Sequence, residues 1–244
     1  MYPITDLGTK IISEEEEEGD GEKETILATV NRMAAPFLGI TSVGVHLLCY
    51  VRGNGDDDGD DGDTTSKNNN NNNNNKNISL WLAQRAANKS HHPLYWDPTV
   101  AGGQPADIGL FQNVIKEAGE EAGIDPEVVT KNALSTGCLS QMTCKPNDGT
   151  CMKQSLYYIW DMEVDRNTFL PHPADGEVVQ FELCTAKQLE YEVRYGNRLR
   201  PAMILVITDF LIRHGIITPD NESDYSKIIA AIHRERLVLE YVPP

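Results

Sequence analysis

The sequence lacks any unbroken apolar run approaching the roughly 18 to 20 residues of a membrane span, and its longer ones, such as Ala202 to Ile207, are of core size. No membrane partner is therefore expected. Met1 to Gly21 has neither the apolar block of a secretory signal nor the Arg-rich, acid-poor character of an organelle transit peptide, so a cytoplasmic protein is expected. Paired cysteines are missing too. The five present, Cys49, Cys138, Cys144, Cys151 and Cys184, are an odd number spread over 244 residues, without the C-x2-C pairs of zinc sites. They read as reduced loop and strand thiols. Basic charge is scarce, with 21 Lys and Arg against 37 Asp and Glu. A nucleic-acid surface needs clustered cations that displace counterions, so that partner class is excluded.

What is there is 40% hydrophobic, enough for a real core. Much of the net charge of −16 is local: residues 1–77 hold 15 acids and 6 bases. The like-charge run Glu14 to Glu18 and the Asp/Gly tract with poly-Asn lack the apolar residues that offset chain-ordering entropy. Asp56 to Asp63 is not followed by the spaced Gly and terminal Glu of an EF-hand loop. The organisation expected is a disordered acidic segment over 1–23 and one domain over 24–244. Within that domain, 53–77 is expected to be a disordered, low-complexity insertion. Strand-like sequence on both sides of it makes it a hairpin insertion, tolerated because closure entropy rises slowly with length.

The periodicity predicts a helix over 24–38, strands over 42–51 and 78–84, and an extended segment through Trp96 and Val100. A Gly-Gly turn at Gly102 and Gly103 and a helix over 111–122 stopped by Gly123 follow. Further strands are expected over 155–164 and 177–184, and helices over 186–195, 200–214 and 224–235. Strands covered on both sides by helices imply an α/β fold, an α/β/α sandwich.

The chemistry concentrates where Gly102-Gly103-Gln104-Pro105-Ala106-Asp107-Ile108 leads into Val114-Ile115-Lys116-Glu117-Ala118-Gly119-Glu120-Glu121-Ala122-Gly123-Ile124. On a helix, Glu117 shares one face with Glu120 and Glu121, with Cβ atoms about 5 to 6 Å apart. Alone, such a triplet is usually a solvated face. Behind a glycine-rich segment, which lets backbone approach a phosphate, hard oxygen donors at this density suit Mg²⁺ or Mn²⁺.

These residues resemble the Nudix box, G-x5-E-x7-R-E-U-x-E-E-x-G-U with U aliphatic. Gly102 takes the opening Gly, Glu117 the Glu after the Arg, Glu120 and Glu121 the Glu pair, and Gly123-Ile124 the close. Ile108 stands where the pattern has its first Glu, with Asp107 one place early, and Lys116 stands for the Arg. The chain is further similar to the Nudix group found beside or fused to thiamine pyrophosphokinases. That likeness is carried by Ala34-Ala35-Pro36-Phe37-Leu38-Gly39-Ile40, Gly44-Val45-His46, Trp81-Leu82-Ala83-Gln84-Arg85, Val100-Ala101-Gly102-Gly103-Gln104-Pro105, Asn113-Val114-Ile115-Lys116-Glu117 and Asp209-Phe210-Leu211-Ile212-Arg213-His214-Gly215.

The resemblance implies a Nudix-type sandwich with a mixed sheet. It also implies a hydrolase that cleaves a small-molecule diphosphate, thiamine diphosphate or its oxidised analogues, to the monophosphate and phosphate. It places Mg²⁺ on Glu117, Glu120 and Glu121, with Glu120 or Glu177 as the base that takes a proton from water. Gly102, Gly103, Arg85 and Lys116 are expected on the substrate side. Lys116 and Arg85 each have a plainer reading as salt-bridge partners, Glu177 as a turn residue, and His46 as a satisfied core histidine. Trp81, Tyr95 and Trp96 are either core or a stacking platform. Two other functions share the fold: an isopentenyl-diphosphate-isomerase-like enzyme, which needs a reactive cysteine absent from the box, and a non-catalytic binding module.

Overall fold

A computed structural model describes residues 40–53, 77–105, 108–144 and 152–233. The acidic start, the helix expected over 24–38, the body of the insertion, Asp107 and Cys151 lie outside the described residues. The elements are β1 (Ser42–Arg52), β2 (Ile78–Arg85), β3 (Trp96–Pro98), β4 (Val100–Gly103), α1 (Leu110–Ala122) and α2 (Pro126–Asn132). After them come β5 (Leu134–Cys144), β6 (Met152–Glu163), β7 (Val178–Thr185), α3 (Ala186–Tyr195), α4 (Pro201–Arg213) and α5 (Tyr225–Ile232).

The strands form one mixed sheet of order β3-β2-β1-β6-β5, with β4 added on β1 and β7 on β2. β1 and β6 run parallel from Ser42 beside Ser155 to Tyr50 beside Glu163, and the other pairings are antiparallel. β1 is central and buried on both faces, which is why it reads as a nearly continuous apolar run. Its side chains alternate between two cores. Val45, Leu47 and Cys49 meet Val114, Ala118 and Ala122 of α1, whereas Leu48 and Tyr50 meet Met203, Val206, Ile207 and Phe210 of α4. The second set recurs at the three- and four-residue steps of a helix face. The sandwich expected from the sequence is therefore the architecture present.

Gly53 N–H donates to the Asn77 carbonyl at 2.6 Å, so the chain leaves and re-enters the sheet at adjacent residues. That geometry suits a hairpin insertion between β1 and β2. Two elements escaped the sequence reading. α2 is only seven residues long, although its start was signalled: Asp125 accepts the Glu127 N–H at 2.7 Å and Pro126 takes the first turn. β5, Leu-Ser-Thr-Gly-Cys-Leu-Ser-Gln-Met-Thr-Cys, has little apolar alternation and is made a strand by pairing along β6 from Asp161 to Met152. No described helix is long and apolar enough to cross a membrane. Cys49 and Cys184 are buried thiols outside any disulfide.

Candidate active site

Core packing sets the orientation of the acidic helix. Val114, Ala118 and Ala122 turn into the sheet, so Glu117 and Glu121, each one position before a buried alanine, lie along the rim of that contact. Gly123 closes the helix in the left-handed region at φ 62°, as a C-terminal glycine should. Glu121 is 8% exposed, and its Oε2 accepts the Ala101 N–H of β4 at 2.9 Å. Glu120 points outward to Lys116, whose Nζ lies 2.6 Å from its Oε2 and 3.5 Å from Glu117 Oε1. Lys116 thus braces the acidic face.

The Gly-Gly turn is a correction. Gly102 and Gly103 are extended residues of β4, paired with Val45 and Gly44 of β1. Their service is clearance and anchoring. A Cβ at Gly102 would stand 2.3 Å from Glu117 Cγ, so only glycine lets that side chain fold over the strand. The Gly103 carbonyl accepts from Asn113 Nδ2 at 3.0 Å, tying the start of α1 to the same strand. Gly102→Ala is expected to displace Glu117 and lower kcat/KM by about tenfold or more, since small misplacements in a site are costly. Overpacking of about 1–3 kcal/mol should lower the melting temperature by only a few degrees. A steady-state assay beside a thermal melt checks both.

The carboxylates share one field. Burial pushes Glu121 up to about 8; the Ala101 N–H opposes this, and the charges of Glu117, Asp97 and Glu177 reinforce it. Glu117 is raised chiefly by burial, against the pull of Lys116. Glu177 enters from the turn before β7, where its N–H is held by Asp175 Oδ1 at 2.8 Å and its carboxylate pairs with Lys89. It is a turn residue whose charge is felt at Glu117 and Glu121. Among the described residues no three His, Cys, Asp or Glu side chains converge as a ready metal cage. The donors are nevertheless hard oxygens under mutual repulsion, with Glu117 seated in the space Gly102 leaves. They fit a Mg²⁺-type ion that takes most of its ligands from water and phosphate.

Beside this centre lies an ion-pair group that the sequence reading passed over. Asp97, buried in β3, holds Arg85 Nη1 on Oδ2 at 2.8 Å and Arg200 Nε on Oδ1 at 2.5 Å. A lone carboxylate inside an apolar strand has to be paired, and that was the available signal. Arg85 is committed to protein at all three guanidinium nitrogens, the other two donating to the His92 and His91 carbonyls at 3.1 and 3.2 Å. Trp81 and Trp96 belong to the two cores, leaving Tyr95 as the exposed aromatic of the three. His46 is 3% exposed, which makes it a buried core histidine rather than an accessible base.

Comparison with known proteins gives a consistent picture. The family model described as NUDIX domain matches residues 70–204, more than half of the chain. Nudix hydrolase 24, chloroplastic, of Arabidopsis thaliana is 32% identical over 79% of this chain and 46% of its own length. Nudix hydrolase 20, chloroplastic, of the same plant is 31% identical over 80% and 46%. The Saccharomyces cerevisiae protein YJR142W is 29% identical over 84% and 56%. The chain thus spans about half the length of the curated relatives it matches. Among solved structures, DR0079 of Deinococcus radiodurans superposes with a TM-score of 0.50 at 13% identity, over 78% of this chain and 94% of that one, a likeness of fold.

Proposed function

Since the chain belongs to the Nudix family, we propose that it is a Mg²⁺-dependent hydrolase that cleaves the diphosphate linkage of a small molecule. The observation that carries this reading is the seating of Glu117 and Glu121 against Gly102 and Ala101, with Glu177 in the same field. Glu117 and Glu121, with Glu120 at the outer edge, are the residues that would hold Mg²⁺ or Mn²⁺. When bound, the ion supplies charge neutralisation at the phosphoryl oxygens and a more nucleophilic water. Glu121 is fixed by its bond from Ala101, Glu117 by the shape of β4, and Lys116 keeps the outer carboxylate oriented.

Proton removal from water falls to Glu177 or Glu120. Both are solvent-accessible carboxylates, and Glu177 is the one coupled to both Glu117 and Glu121. An isomerase reading gains no support from Cys49 or Cys184. Cys49 and Cys184 are buried, and desolvation pushes both thiols upward, Cys184 to about 12.

The finer substrate reading is thiamine diphosphate or its oxidised analogues, cut to the monophosphate and phosphate, in a cytoplasmic setting. It rests on the resemblance to the thiamine-associated group. Oxidised forms lose the thiazolium charge, and a site without a dedicated anion for that ring favours the neutral form. Phosphate release across a panel of diphosphates, with Mg²⁺ and with EDTA, tests it. The expected order of kcat/KM is oxo- and oxythiamine diphosphate, then thiamine diphosphate, then ADP-ribose and nucleoside diphosphates, with activity abolished by EDTA. Ready hydrolysis of ADP-ribose with none of the thiamine compounds would overturn the substrate and leave the hydrolase.

A further inference from the structure

Lys116 lies one turn before Glu120 on α1, and its Nζ stands 2.6 Å from Glu120 Oε2 and 3.5 Å from Glu117 Oε1. Among the described residues it is the side-chain cation in ion-pair reach of the acidic helix's glutamates: Lys89 pairs with Glu177, and Arg85 and Arg200 pair with Asp97. Glu117 Oε1 is also an oxygen that reaches over β4, since a Cβ at Gly102 would stand 2.9 Å from it. The ammonium thus touches both the carboxylate seated over the strand and the one at the solvent edge. Those are oxygens that the proposed function gives to Mg²⁺. A divalent ion and an ammonium on the same oxygens repel, so the two compete.

The lysine is the side that yields. It stands N-terminal to Glu120, the less favourable order for an ion pair four residues apart on a helix. Lys116 and Glu120 are each about half exposed, where water and salt leave an ion pair little strength. The four-carbon stem also keeps much rotamer freedom. Once turned away from the carboxylates, the ammonium remains within a side chain's length of them. The phosphate oxygens of a diphosphate held there are then its strongest acceptors.

We propose that Lys116 is an exchangeable counter-ion: it neutralises Glu117 and Glu120 in the metal-free protein, and gives them up to Mg²⁺ to bond a phosphate oxygen of the substrate. The proposal rests on the diphosphatase reading and adds a device that ties metal binding to substrate binding. Lys116 opposes the metal on its own and favours the diphosphate once metal is present. The two affinities therefore respond to its loss with opposite signs, whereas a lysine that only braces the helix would strengthen neither.

The test uses the full chain in two calorimetric titrations: Mn²⁺ alone, and methylenediphosphonate, an uncleavable diphosphate, at saturating Mg²⁺. Lys116→Met is expected to bind Mn²⁺ about three- to tenfold more tightly at low salt, and methylenediphosphonate about tenfold more weakly. Lys116→Arg, which keeps the charge and the donors, should return both affinities toward the parent's. In EDTA, Lys116→Met should melt about 1–2 °C below the parent, because the glutamates lose their counter-charge. Saturating Mn²⁺ should close that gap. If Lys116→Met binds Mn²⁺ no more tightly than the parent, the lysine does not compete with metal and the proposal fails. Methylenediphosphonate bound as tightly as by the parent overturns it too, since the released ammonium then reaches no phosphate. A parent that binds Mn²⁺ but cleaves no diphosphate defeats the hydrolase reading, while the two titrations still decide the exchange. A parent that binds no Mn²⁺ defeats the metal site and the exchange together.

Discussion

Glu121→Gln, and separately Glu117→Gln, are each expected to lower turnover at least about 10²-fold, the scale on which removal of a metal ligand acts. The fold should not suffer. Glu121 is buried with its carboxyl raised to about 8, and burial is the main cause. A group whose folded pKa lies above its unfolded value stabilises fully below the unfolded value, and that contribution is lost as pH rises through the folded one. Without metal, the Glu121 carboxylate therefore weakens the protein increasingly from about pH 4.3 upward, to about pH 8. The Gln variant should melt at or above the parent in EDTA at pH 8, with the advantage shrinking toward pH 5. Rates near the parent's in both variants would sink the metal-site assignment. A large fall in melting temperature would mean the helix is held by these charges rather than burdened by them.

Asp161→Ala should do the reverse, costing stability at a point remote from the acidic helix. Asp161 is 7% exposed on β6 and receives both terminal nitrogens of Arg213, Nη2 at 3.2 Å, and His214 Nε2 at 3.1 Å. Arg213 also donates through Nε to Asp209 at 2.7 Å. The run Asp209 to Gly215, prominent in the sequence, is thus the device that pins the end of α4 to the sheet. Removing the central carboxylate leaves a half-buried guanidinium short of charge, a loss of about 3 kcal/mol. For a domain this size that is a fall of about 10 °C.

Burial alone would push Asp161 upward, but the hydrogen bonds from His214 and Arg213 outweigh it and hold the carboxyl below its usual range. The contribution is present above the unfolded pKa of about 3.9 and is lost as pH falls through the lower folded value. Parent and variant should therefore converge in stability below about pH 4, while kcat/KM of the folded variant at neutral pH stays close to the parent's. A variant as stable as the parent at pH 7 would show that the cluster is balanced by desolvation.

The sequence alone determined most of the scaffold, because strand and helix periods are local. The Val-, Leu- and aromatic-rich run over 42–51 reads as a strand, and the spacing over 111–122 reads as a helix ending at Gly123, as both are. The placing of Glu117 with Glu121 on one rim follows from that helix. What only tertiary structure decided were relations across the chain. β5 is a strand because β6 lies beside it, and Gly102 is a glycine because Glu117 lies over it rather than because the chain turns there. Glu177 comes into the field of Glu117 and Glu121 because β7 pairs with β2, and Arg85 and Arg200 meet on a single Asp97 although they lie far apart in the chain. Periodicity reports which face a residue takes. It carries no information on which of two arginines, 115 positions apart in the numbering, spends its donors on backbone carbonyls, for that depends on how the loops close.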